Sequence, residues 1–288
     1  MEDSIERGII KVSVIYRFIY NQQQDWAHQQ GIKFDKNGYT FSLGDNLFSP
    51  LLPEVINRFQ SGKGDELGSK EKRGKMLALH SSSALVANVF QYWLNRNISE
   101  IASACGASQG MTELYFEQTH RTTLGGIPPH LDLEFRGNKL KPLAIESKFT
   151  ESYHRHTKRR IKDKYLDARL WTQQPRCWEL VNLIREEEKG RTRFSYLDAP
   201  QLLKHILGLT KDYRPTGFKL LYLWYEVPSP EAKMHRQQLE EFKRHLGDEV
   251  YFSDMTYQEL FEIIRTSCGV DENYTAYLIE RYFPFLTD

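Results

Sequence analysis

The sequence predicts an α/β fold in which a central mixed β-sheet is flanked by helices. Two short segments, 131–135 and 143–149, place apolar residues at alternating positions on either side of a turn at Gly137, a pattern typical of paired strands. The nearly continuous apolar run 218–227 indicates a further strand that is buried on both faces. Helical periodicity before and after these segments completes the pattern of an α/β domain with a helical periphery.

The predicted elements follow the order helix, three strands, helices, strand, helices. Ser81 and the two serines after it offer N-caps for a helix that runs towards Trp93, and a strand begins near Leu114. Prolines end the strand 218–227, and we expect only helices in the C-terminal part after it. The remaining expectations are a mobile loop at 61–74 and helices at 155–170, 175–187, 200–209 and about 271–282.

The composition narrows the classes of protein to be considered. The chain has 288 residues, and its 39 basic and 38 acidic residues give a net charge of +1. Because this balance provides no global positive field, nucleic-acid binding must depend on local basic patches. Three widely spaced cysteines favour a reducing compartment over a disulfide scaffold. Lys11 and Arg17 interrupt the apolar run 9–20, which argues against a signal peptide or a membrane span. We therefore expect a soluble cytoplasmic protein.

The two central strands carry charged residues on one face. Because side chains alternate along a strand, Glu146 and Lys148 share one face and Ser147 points to the other. Asp132 and Glu134 share a face of their own strand, so strand pairing can bring Asp132 beside Glu146 and Lys148. A charge on a buried strand is costly unless it is paired or binds a metal ion, which suggests chemistry at this face. The alternative is an ordinary exposed face of an edge strand, and Glu134 is expected to be solvated or paired with a cation.

Asp132 and the triplet Glu146-Ser147-Lys148 resemble the catalytic motif of the PD-(D/E)XK nuclease superfamily. The core of that superfamily is a helix, a three-stranded meander, a helix and a further strand. Leu131 precedes the aspartate, so the proline-aspartate half of the motif is degenerate in this chain. Segments 80–85 and 277–283 are similar to a bacterial family with a restriction endonuclease-like fold, which extends the resemblance to roughly residues 60–285.

The resemblance implies a metal-dependent endonuclease that hydrolyses phosphodiester bonds, with DNA as the expected substrate. Asp132 and Glu146 would bind Mg²⁺, for which Mn²⁺ can substitute, and the backbone carbonyl of Ser147 would complete the ligands from the protein. Lys148 would orient or activate the attacking water, and beside two carboxylates it should remain protonated in the metal-free protein. A further carboxylate often joins such sites. Here it is Glu66 or Glu117, and the spacing does not choose between them.

The predicted domains are a mostly helical extension, 1–60, and a nuclease-like domain with C-terminal helices, 61–288. The segment 154–164 is the strongest basic cluster, and it would either contact phosphates or form a solvated helix face. Cutting both strands of DNA would favour a homodimer or sequential nicking. Two other functions remain open: an inactive nuclease-like fold that binds nucleic acid or a partner protein, and an α/β enzyme acting on a small molecule.

Overall fold

A five-stranded mixed sheet with its strands in chain order forms the centre of the protein in the computed structural model. The strands are β1 (Glu113–Thr119), β2 (His130–Arg136), β3 (Leu143–Lys148), β4 (Lys219–Trp224) and β5 (Tyr251–Thr256). The first three strands form an antiparallel meander, and β3, β4 and β5 run parallel. The structure describes residues 13–62, 64–69, 71–126, 128–156, 161–186, 193–267 and 269–284. The predicted α/β class with a central mixed sheet flanked by helices is confirmed.

Helices surround the sheet, and side-chain caps define where several of them begin. Ser81 accepts a hydrogen bond from the backbone N–H of Ala84, as expected for an N-cap, and Asp271 caps the last helix in the same way. The α-helices of the described residues are α1 (Val14–Gln29), α2 (Pro53–Ser61), α3 (Ser82–Phe90), α4 (Ile98–Ala104), α5 (Pro175–Arg185), α6 (Ala199–Tyr213), α7 (Pro230–Leu246), α8 (Tyr257–Ser267) and α9 (Glu272–Tyr282). Short 3₁₀ turns lie between them.

Helices α6 and α7 are the crossovers between the parallel strands, as parallel pairing requires. Both contact the sheet face that carries the charged residues, because His205 of α6 lies against Glu146 and His235 of α7 packs on the ring of Trp224. The opposite face packs against α3 and α8. The sheet face that bears Glu146 is therefore covered by helices α6 and α7, and it is open only near the edge of the sheet.

The N-terminal helix packs against the C-terminal one through a buried arginine. The guanidinium of Arg281 is fully buried, lies 4.2 Å from the centre of the Trp26 ring, and donates hydrogen bonds to Gln23 and to Asn46. Gln23 in turn donates to the backbone carbonyl of Arg281 at 2.9 Å. These hydrogen bonds satisfy a charge that burial would otherwise disfavour. Residues before position 61 thus share a core with the end of the chain.

Two expectations about secondary structure were wrong. Strand β5 was not predicted, because it is a short edge strand whose exposed and half-buried residues, among them Ser253 and Asp254, give no clear alternation. The segment 155–170 is not one continuous helix: its described part forms 3₁₀ turns at Asp163–Tyr165 and Ala168–Trp171, and 157–160 lies outside the described residues.

The loop 61–74 folds back on itself in its described part. Gly68 pairs with Arg73, and the backbone N–H of Met76 donates to the carbonyl of Glu66 at 2.9 Å. Gly68 has a φ of +75°, and a Cβ there would lie 2.4 Å from the backbone nitrogen of Gly74, so only glycine fits without displacement of the chain. This loop carries Glu66 to the site.

Candidate active site

Glu146 and Lys148 form a buried ion pair at the end of β3. Lys148 Nζ donates to Glu146 Oε1 at 2.5 Å, and the exposed fractions of the two side chains are 13% and 3% for lysine and glutamate. Burial by itself would raise the pKa of Glu146, but the charges of Lys148 and His205 outweigh burial and lower the pKa to about 2. Burial would lower the pKa of Lys148, and the charge of Glu146 instead raises it. Lys148 is therefore protonated, in agreement with the expectation from sequence.

Asp132 joins this pair where strands β2 and β3 part. Leu133 pairs with Ile145, and one residue further along Asp132 would come opposite Glu146. Instead of continuing the ladder, Asp132 Oδ2 accepts the backbone N–H of Ser147 at 2.7 Å. Burial and the charge of Glu146 raise the pKa of Asp132 well above its ordinary value. The structure thus brings Asp132, Glu146 and Lys148 together.

Ser147 connects the charged face to the opposite face of the sheet. Its backbone N–H contacts Asp132, whereas its hydroxyl lies 2.6 Å from the hydroxyl of Tyr257 on α8. Because neighbouring residues of a strand point to opposite faces, Ser147 cannot place its side chain next to Glu146. Its backbone, and not its side chain, belongs to the site.

Both candidates for a further carboxylate lie near this face. Glu117 of β1 has a φ of +49°, an uncommon conformation for a residue other than glycine, and it interrupts the ladder between β1 and β2. Burial, followed by the charges of Glu66 and Glu146, raises the pKa of Glu117 to about 7. Glu66 accepts a hydrogen bond from Ser83 Oγ at 2.5 Å and lies 3.7 Å from Lys75 Nζ. Of the two, Glu117 is the one whose charge also raises the pKa of Asp132.

His205 of α6 is a member of the site that sequence reasoning missed. Its ring is 1% exposed, and its Nε2 atom lies 3.0 Å from Glu146 Oε2. The two atoms are not aligned for a hydrogen bond, and neither ring nitrogen has a hydrogen-bond partner among the described residues. In the sequence, a lone histidine in an apolar helix was the only available signal, and such a residue is usually part of a core.

Glu134 belongs to a second buried cluster beside the site. Its carboxylate accepts hydrogen bonds from Arg136 Nε at 2.9 Å and from the Tyr213 hydroxyl at 2.6 Å, and it lies 2.9 Å from His120 Nε2. The other ring nitrogen of His120 lies 2.8 Å from Asp212. Although burial opposes ionisation, these hydrogen bonds lower the pKa of Glu134 to about 2. The expected pairing of Glu134 with a cation is confirmed, and the cluster ties α6 to β2.

The acidic side chains at this face provide oxygen ligands, the type that Mg²⁺ and Mn²⁺ prefer. Burial and the charge of Glu146 raise the pKa of Asp132, so a divalent cation bound by the two carboxylates would relieve their repulsion. Within the described ranges, no group of three or more His, Cys, Asp or Glu side chains is arranged to hold a metal ion. Two carboxylates still fit Mg²⁺, because that ion retains several waters.

The basic cluster 154–164 is only partly described, since 157–160 lies outside the described residues. His154, Arg155 and Lys162 are exposed, and Lys164 Nζ donates to the carbonyl of Gly125 at 2.5 Å. Phosphate contact by these residues stays a prediction.

The five-stranded mixed sheet flanked by helices is consistent with a restriction endonuclease-like fold. Residues 20–283 match the model of a family described as "Restriction Endonuclease associating with ARP", and the chain belongs to this family. Comparison with curated proteins and with solved structures found no match. In the described part of the chain, each helix is too short or too polar to cross a membrane.

Proposed function

We propose that this protein is a metal-dependent endonuclease that hydrolyses phosphodiester bonds in DNA. The proposal is carried by one observation: Asp132 accepts the N–H of Ser147 directly beside the ion pair of Glu146 and Lys148. A lysine two residues after a carboxylate on one strand, with a second carboxylate on the next strand, is the arrangement expected for this chemistry. Membership of a restriction endonuclease family supports it.

In this proposal Asp132, Glu146 and the backbone carbonyl of Ser147 hold Mg²⁺, and Mn²⁺ can replace it. The ion, when bound, polarises the phosphate and lowers the pKa of the attacking water. Lys148 keeps its proton at Nζ and uses it to orient that water and to offset negative charge that develops on the phosphate oxygens. Glu117 is proposed as the further carboxylate, because its charge acts on both Asp132 and Glu146.

The test is cleavage of plasmid, linear duplex, single-stranded DNA and RNA by the purified protein with Mg²⁺, Mn²⁺, Ca²⁺ or a chelator. We expect cleavage of DNA that requires Mg²⁺ or Mn²⁺. Asp132→Asn and Glu146→Gln should abolish it, and Lys148→Ala should reduce it strongly while the fold survives. Glu113→Gln, an exposed residue of β1, is the control and should cleave like wild type. Wild-type activity in all three site variants would show that the roles are wrongly assigned.

A second candidate is a nuclease-like protein that binds nucleic acid or a partner without cutting. One observation favours it: the family description names an association with ARP. In that case the protein would bind DNA, or an ARP partner, with equal affinity in the presence and absence of divalent cations. Calorimetric titration with Mn²⁺ separates the two candidates, because only the nuclease requires the ion at Asp132 and Glu146.

A further inference from the structure

We propose that His205 is a positioning residue that holds one oxygen of the Glu146 carboxylate, so that the other oxygen faces Lys148 and the cation. This inference rests on the proposed function and deepens it. The two oxygens of Glu146 have different neighbours: Oε1 accepts from Lys148 at 2.5 Å, and Oε2 lies 3.0 Å from His205 Nε2. The carboxylate of Glu146 thus lies between Lys148 of its own strand and His205 of the crossover helix α6.

Apolar packing by itself gives no reason for a histidine at this position. The neighbouring buried residues of α6 include Leu202, Leu203 and Ile206, and an apolar side chain would fill the same space. Burial of an imidazole whose nitrogens both lack aligned hydrogen bonds among the described residues is costly by itself, and an apolar side chain would avoid that cost. The polar group that lies within hydrogen-bonding distance of that ring is the carboxylate of Glu146, which we assign to the cation.

The misalignment of the contact is consistent with a positioning role. His205 Nε2 and Glu146 Oε2 are close enough for a hydrogen bond and lack only the correct angle. A rotation of the carboxylate or of the imidazole about its terminal bond would align the two atoms. Hydrogen bonds to a ligating carboxylate fix its orientation, and their removal typically lowers metal affinity or activity about 10–100-fold.

The other end of α6 is fixed to the sheet, and this holds His205 in place. Tyr213 donates to Glu134 of β2, and Asp212 lies 2.8 Å from the ring of His120. These contacts lie near the last turn of α6, and His205 lies about two turns earlier on the same helix. These contacts therefore fix the backbone position from which the imidazole reaches Glu146.

The experiment compares the full-length wild type with His205→Leu, His205→Met and His205→Gln. Leucine and methionine fill the space of the imidazole but carry no hydrogen-bond donor, and either variant is sufficient if the other does not fold. The amide group of glutamine can reach the position of the histidine Nε2 atom and can donate a hydrogen bond there. Mn²⁺ alone is titrated calorimetrically, and kcat and KM are measured on duplex DNA. We expect the apolar variants to bind Mn²⁺ at least 10-fold more weakly, with a lower kcat and an unchanged KM. His205→Gln should recover most of the affinity.

His235→Leu is the matched control, because His235 is buried under the neighbouring helix α7 and packs on aromatic rings. It should bind Mn²⁺ like wild type. Wild-type Mn²⁺ affinity in the apolar variants would overturn the inference and leave the proposed function intact. Equal losses in the glutamine and leucine variants would also overturn it. A wild-type protein that binds no Mn²⁺ would overturn both proposals together.

Discussion

Lys148 Nζ lies 2.5 Å from Glu146 Oε1, so the two groups neutralise each other at the end of β3. A cation that binds Glu146 must therefore compete with the ammonium group for the same carboxylate. This competition separates two effects of the lysine, one on metal binding and one on the chemical step.

Lys148→Met should bind Mn²⁺ at least as tightly as wild type and should cleave DNA about 100-fold more slowly or worse. Methionine keeps an unbranched apolar stem but removes the competing charge and the group that orients the water. Calorimetry and single-turnover cleavage measure the two effects. Lys219→Met, at the start of β4, is the control and should change neither. If Lys148→Met loses Mn²⁺ binding as well, the lysine supports the ligands and does not act on the water.

Glu117→Gln should make the protein more stable at pH 8 and less active. Burial and neighbouring carboxylates raise the pKa of Glu117 to about 7, above its ordinary value of 4.5. Above pH 7 the buried carboxyl must ionise although the fold disfavours its charged form, and a rise of the pKa from 4.5 to about 7 corresponds to a gain of roughly 3 kcal/mol when the group is removed. The gain should vanish near pH 4.5, where the carboxyl is protonated in the folded state. Thermal unfolding at both pH values tests this, with Glu113→Gln as the unchanged control.

The pair of Glu134 and His120 should stabilise the protein most strongly between about pH 4.5 and 6.5. The folded pKa of Glu134 is about 2, below its ordinary 4.5, so its contribution is complete above pH 4.5 and is lost as the pH falls towards 2. Although burial lowers the pKa of His120, the contacts with Glu134 and Asp212 raise it above its ordinary 6.5. Its contribution is therefore complete below pH 6.5 and is lost as the pH rises through the folded value.

Glu134→Gln is expected to cost about 3–5 kcal/mol within this window and less on either side of it, because a buried charge loses its partner. Denaturant unfolding from pH 3 to 9 gives the difference. Asp212→Asn, whose carboxylate is 42% exposed, should cost far less at every pH. A loss for Glu134→Gln that is independent of pH would mean that the cluster acts through packing alone.

Arg281→Lys should destabilise the protein although it keeps the charge. The guanidinium donates to Gln23, Asn46 and the carbonyl of Leu79, and a lysine cannot reach all of these acceptors from one position. Each buried acceptor left without a donor costs about 1–3 kcal/mol, so we expect a loss of roughly 3 kcal/mol or more by chemical denaturation. Arg265→Lys, at an exposed position of α8, should stay within about 0.5 kcal/mol of wild type.

The sequence could predict those parts of the site that depend on the alternation of side chains along a strand. Glu146 and Lys148 lie two residues apart, so their shared face follows from strand geometry. Asp132 lies close to them because β2, the strand that carries it, pairs with β3 in the meander. His205 was not predictable in this way. Its contact with Glu146 depends on the angle at which α6 packs on the sheet, and the pattern of residues along the chain does not predict that angle.

Glu117 and β5 show two further reasons for what the sequence left open. The position of the Glu117 side chain depends on a backbone conformation that is rare outside glycine, and nothing in the neighbouring residues signals it. Strand β5 is recognisable only by its pairing with β4, since its own residues alternate poorly. Both features depend on tertiary contacts and not on local preference.

The crossover formed by α6 also has a consequence for the order in which the protein folds. The meander joins segments that are adjacent along the chain, so Asp132 can meet Glu146 and Lys148 early. His205 reaches them only when a distant part of the chain docks and β4 adds to the sheet, and such long-range steps are the slow ones. In a newly made chain, the charged groups of β2 and β3 would therefore come together before His205 contacts Glu146. Hydrogen exchange during refolding would then show that the backbone amides of α6 become protected late.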